Sequence, residues 1–190
     1  MVFQIKNKIV MKKFLLILAI TCQLSGFAQK MFTRSGVIKF EATMPAFEEI
    51  AATNNTVSCV FDKSNGDIAA LALMKAFKFK SPLMEEHFNE NYVESSIHPK
   101  ATYKGKVIGF DMSKFSGGKA TFDTEGDLTI HGVTKKVKTK IVFMISGDKL
   151  VAKCNFSIKP QDYNIEIPSV VKSKIAENIK IDVNFTLENK

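Results

Sequence analysis

The chain has 190 residues, 45% of them hydrophobic, and a formal charge of +8, which suits one domain with a sizeable core and excludes a disordered polar segment. It carries 16 phenylalanines and no tryptophan, so its interior is strongly apolar. Its lysines and arginines form no cluster interleaved with aromatics, and no nucleic-acid partner is expected.

Met11 opens the first organised segment: Lys12 and Lys13, the apolar run Phe14 to Ile20, then Gly26-Phe27-Ala28. A charged start, an apolar stretch too short to span a bilayer and small residues before a cut describe a signal peptide. Cleavage after Ala28 is expected, leaving residues 29–190 as the mature domain in the periplasm or outside the cell. The competing readings are a buried N-terminal helix, a retained anchor, or lipidation at Cys22. Residues 1–28 contain Lys6, Lys8, Lys12 and Lys13 and no acid, so their removal lowers the formal charge to +4. That residual charge allows weak attraction to anionic membranes, but no stable membrane insertion is expected.

From Gly36 onward the dominant period is two. Ile38, Phe40 and Ala42 alternate with Lys39 and Glu41, and Phe77 and Phe79 with Lys78 and Lys80. Leu150, Ala152, Cys154, Phe156 and Ile158 alternate with polar residues, as do Ile179, Ile181, Val183, Phe185 and Leu187. Each such run is a strand with one face in a core and one in water. Runs near 35–42, 56–62, 67–80, 101–110, 119–130, 134–146, 149–159 and 175–188 give about eight strands. Asn65-Gly66, Gly117-Gly118, His131-Gly132 and Gly147-Asp148 supply the short turns of antiparallel neighbours.

One segment breaks this period. Pro82 to Asn91 places a proline near a helix start, Ser81 before it as an N-cap with Glu85 as its partner, and Met84, His87 and Phe88 on one helical face. The expected fold class is therefore all-β: a single antiparallel domain with one short helix. Eight strands either pack as two sheets or close into a barrel, whose interior is filled or just hollow enough for one small ligand.

Two stretches resemble a known family. The first runs through Phe77-Lys78-Phe79, Leu83-Met84, His87-Phe88-Asn89-Glu90-Asn91-Tyr92 and Tyr103-Lys104-Gly105; the second is Leu128-Thr129-Ile130-His131-Gly132-Val133-Thr134-Lys135. Together with Ile165 to Pro168 and the Ile175 to Leu187 strand, they are similar to YceI-like proteins across the mature chain. The resemblance implies a lipocalin-like eight-stranded barrel, periplasmic or secreted, whose cavity holds a polyisoprenoid chain or isoprenoid quinone. Where many members carry an Arg-Asp pair before the helix histidine, this chain has Glu85 and Glu86.

Phe40, Phe77, Phe79, Phe143, Phe156 and Phe185 would be core in any β-sandwich; the resemblance turns them into cavity lining, with Met84 and Phe88 beside them and His87 and Tyr92 as polar contacts, while His87 read by itself is equally a partly buried histidine satisfied by backbone or a neighbouring acid. His131 is expected to bond local backbone in its turn, and His98 to be an exposed loop residue. His87, His98 and His131 lack the paired spacing of a metal site, so no metal is expected. Cys59 and Cys154 pair or remain buried thiols. No nucleophile elbow or phosphate loop is present, and no enzymatic activity is expected. The chain is thus expected to bind an apolar small molecule, with no cofactor beyond that ligand. The alternatives are a packed barrel serving stress response or protein interaction, and a lipid-modifying enzyme. Whether the barrel is a monomer or a homodimer is left open.

Overall fold

The computed structural model describes residues 30–44 and 47–189. The expected signal peptide, its cleavage site and Cys22 lie outside the described residues. The strands are β1 (Lys30–Thr43), β2 (Ala51–Asp62), β3 (Asp67–Leu73), β4 (Lys78–Phe79), β5 (Lys100–Val107), β6 (Lys119–Ile130), β7 (Val133–Ser146), β8 (Lys149–Ile158) and β9 (Ile175–Asn189). A helix, α1 (Pro82–His87), continues into a wider π-turn over Phe88–Tyr92.

Neighbouring strands are antiparallel in the order β1-β9-β8-β7-β6-β5-β3-β2, and β2 pairs back onto β1. The sheet is therefore a closed eight-stranded barrel. The two-residue β4 bonds β2 at Ala52 and Thr53, on the edge that β3 leaves free, so it continues the track of β3. The run at 67–80 is split because a 3₁₀ turn at Met74–Ala76 tucks Met74 into the core. Asn54, wholly buried, donates its side-chain amide to the Leu73 carbonyl and satisfies the backbone where β3 ends.

Alternation along each strand sorts the two faces. On the outer wall Lys140, Lys138 and Lys136 of β7 stand directly opposite Asp123, Glu125 and Asp127 of β6, at 2.8, 2.9 and 3.1 Å. Such exposed pairs add little stability, but they reinforce the register that keeps the apolar residues between them inside. The β6–β7 link is a two-residue turn in which His131 and Gly132 both have positive φ, 51° and 74°, the conformation whose twist matches a right-twisted hairpin.

α1 forms where the sequence places it, with Pro82 in its first turn and Ser81 at the N-cap position. The Ser81 side chain makes no capping bond, contrary to expectation. Glu85 turns instead toward β4, where its carboxylate accepts from Lys78 Nζ and from the Phe79 backbone N–H at 3.3 Å. A charged partner and a strand-edge donor offer that carboxylate more than the cap would.

Candidate functional site

The antiparallel order gives the barrel two distinct ends. At one end, where β2, β5, β7 and β9 finish and β3, β6 and β8 begin, aromatic rings close the interior. Phe61 stacks on Phe143 with centroids 5.0 Å apart, Phe110 meets Phe61 edge-on at 4.8 Å, and Phe122 lies 5.2 Å from Phe110. Phe110 and Phe115 belong to the β5–β6 connection, which folds them in as a cap. Phe61, Phe143 and Leu187 have no solvent exposure.

Above this plug the side chains no longer meet. A cavity of about 380 Å³ runs toward the end that carries α1 and the 160–174 connection, within the range of small-molecule sites. One wall is thinned by small side chains: Ala70 and Ala72 on β3 and Ala101 on β5 all face inward. The opposite wall is Phe156 and Ile158 of β8 with Ile181 and Val183 of β9. Near the mouth Phe40, Phe77, Phe79 and Phe88 pack as a ring cluster with centroids 5.1 to 6.0 Å apart. Met84 and the exposed His87 of α1 form the rim with Val171 and Lys174.

Nine of the ten residues expected to line a cavity therefore do so: Phe40, Phe77, Phe79, Met84, His87, Phe88, Tyr92, Phe156 and Phe185. Phe143 does not. It sits one inward position beyond Ile141, the last β7 residue to reach the void, and its ring belongs to the plug. The inward alanines escaped sequence reasoning, which weighed large aromatics. Their signal was the small-residue alternation of Ala70 and Ala72, because a hollow barrel needs missing volume on its inner face.

A second overlooked feature is polar. Tyr103 on β5 lies over the cross-strand pair Gly105 and Gly126; a Cβ on Gly126 would come within 2.5 Å of Gly105 Cα and 2.8 Å of Tyr103 Cζ. Only glycine lets the ring lie flat against the wall. Thr124 Oγ1 donates to the Lys106 carbonyl at 3.1 Å, so the Tyr103 hydroxyl donates to Thr124 Oγ1, also at 3.1 Å. Tyr103 and Thr124 thus place a satisfied polar pair in an otherwise apolar wall, and burial holds the Tyr103 hydroxyl above its ordinary pKa. Burial does the same to Tyr92 nearer the mouth.

The two described cysteines are free thiols. Cys59 is buried and Cys154 lines the cavity. Burial pushes each up to about 12.

Comparison with known proteins finds both a family and the same fold. The family model for the YceI-like domain matches residues 29–187. The chain belongs to the YceI-like family. Among solved structures, a polyisoprenoid-binding domain from Saccharophagus degradans, implicated in plant cell wall breakdown, superposes with a TM-score of 0.73 at 14% identity, covering 86% of this chain and 99% of that one. BcnA of Burkholderia cenocepacia gives 0.65 at 14% identity, covering 80% and 95%, and the Campylobacter jejuni YceI protein 0.58 at 16%, covering 75% and 88%. A search of curated proteins gives no match. The YceI-like barrel is thus retained while nearly all residue identities change, as expected where an inward apolar pattern rather than particular side chains defines the fold.

Proposed function

We propose that this protein is an exported carrier that holds an apolar chain, an isoprenoid or isoprenoid quinone, in its barrel and shields it from water. The observation that carries this reading is the cavity of about 380 Å³ with a wall formed almost wholly by hydrocarbon side chains. Burial of such a chain gains on the order of 0.8 kcal/mol per methylene-sized group without any polar contact. Selectivity then comes from length and width, since apolar pockets discriminate weakly between similar tails.

The head group would meet the rim, where His87, Tyr92 and Lys174 are the polar side chains facing the void. Glu85, one of the two acids in place of an Arg-Asp pair, is held by Lys78, and Glu86 is exposed. The expected leader at 1–28 supports the periplasm or the cell exterior as the site of action, where an apolar molecule needs a carrier. The void at Phe77, Phe79 and Phe156 favours this over a packed barrel acting through protein contacts.

Native mass spectrometry of protein purified from its own membranes should show the chain plus one lipid-sized mass, and a fluorescent isoprenoid analogue should bind with one-to-one stoichiometry. A bare chain together with no analogue binding would end the carrier reading.

A further inference from the structure

Outside the cavity wall, the turn between β6 and β7 meets the loop that follows α1, and three metal-ligating side chains converge there. His131 Nε2 lies 2.8 Å from Glu94 Oε2, and the rings of His98 and His131 meet with centroids 4.4 Å apart at 69°. One ligand atom from each of Glu94, His98 and His131 falls within 4.8 Å of the other two. His98 is only partly exposed: its ring rests on Gly132, where a Cβ would lie 3.0 Å from its Cε1.

The partners of His131 give this cluster chemical meaning. Its Nδ1 lies 3.1 Å from the Tyr163 carbonyl, not from local backbone as the sequence suggested, and a carbonyl can only accept. Nδ1 therefore carries a proton. Nε2, on the far side of the ring, then points at the Glu94 carboxylate, 2.8 Å from Oε2. A ring whose other N–H donates to a backbone carbonyl is the arrangement that orients metal-bound histidine. His131 and Glu94 also have left-handed backbone, φ 51° and 44°, a costly conformation that clusters at ligand clamps.

We propose that Glu94, His98 and His131 bind a divalent transition ion of the zinc class, with water completing the coordination. Two imidazoles and one carboxylate are the donor set that zinc prefers and magnesium does not. Ligands around a tetrahedral ion stand roughly 3.3 Å apart, so Glu94 and His131 separate slightly while His98 draws in. The ion ties the segment after α1, whose Tyr92 and Val93 line the cavity, to the His131–Gly132 turn. The proposal is independent of what the cavity holds.

The test uses the mature chain, free of any affinity tag and stripped with chelator, titrated with zinc chloride. One equivalent of zinc should remain after gel filtration, and Tm should rise by about 5 °C at zinc well above its Kd, with no rise for magnesium. His98→Ala, which leaves the bonds of His131 to Tyr163 and Glu94 intact, should weaken zinc binding at least tenfold while keeping the metal-free Tm. If that variant fails to fold, Glu94→Gln gives the same comparison. No retained zinc, or equal retention by wild type and variant, overturns the site and leaves Glu94 and His131 as a hydrogen-bonded pair.

Discussion

Phe61 and Phe143 stack with their ring centroids 5.0 Å apart, neither exposed to solvent, and this contact lies within the aromatic plug that closes one end of the barrel. The barrel is hollow on one side of the pair and solid on the other. Phe143→Ala should remove about 3–5 kcal/mol of stability, because the neighbouring rings are held by two strands and a connection and cannot collapse into the gap. Urea denaturation measures the loss. A change below 1 kcal/mol would show that the plug is not packed as described.

Ala70 faces the void from β3, so a large side chain there fills space rather than displacing a neighbour. Ala70→Trp should leave the circular dichroism and Tm close to wild type yet weaken binding of a fluorescent isoprenoid analogue by tenfold or more. Unchanged affinity would mean that the analogue binds elsewhere.

Gly126 meets Gly105 across β5 and β6 beneath the Tyr103 ring. Gly126→Ala must push that ring off the wall or spread two strands, and should cost about 1–3 kcal/mol by thermal denaturation. Tyr103→Phe loses only the bond to Thr124, whose hydroxyl still donates to the Lys106 carbonyl, and should cost about 0.5–1.5 kcal/mol. The glycine variant is expected to be the more damaging of the two.

Cys59 and Cys154, both raised to about 12 from an ordinary 9, should be nearly inert in the folded protein. At pH 8 a thiolate fraction of about one in ten falls to about one in ten thousand, so alkylation by iodoacetamide should be slowed at least a hundredfold until denaturant is added. The folded state keeps thiol protons that the unfolded chain releases above pH 9. Stability from this source is therefore complete below pH 9 and is lost as pH rises toward 12. Tm should decline from pH 9 upward, and the early part of that decline should flatten in the Cys59→Ala, Cys154→Ala double variant.

The sequence by itself determined the strands, their approximate number, the short helix and the identity of the inward faces, because a period of two and a proline-led helical face are local properties of the chain. It also carried the motif at 128–135 that marks the family. Tertiary structure alone decided which inward residues meet. Phe143 and Phe156 share the same alternating pattern, yet one belongs to the plug and the other to the cavity, since depth along a barrel depends on where every neighbouring strand begins and ends. The alanines at 70, 72 and 101 create a void only when the residues across the barrel stop short of them. Glu94, His98 and His131 show no ligand spacing in the sequence, and their approach depends on a two-residue turn and a loop more than thirty residues away being brought together by the antiparallel pairing of β5 with β6. Closure is a property of all eight strands at once, which is why local periodicity could announce the wall but not what it encloses.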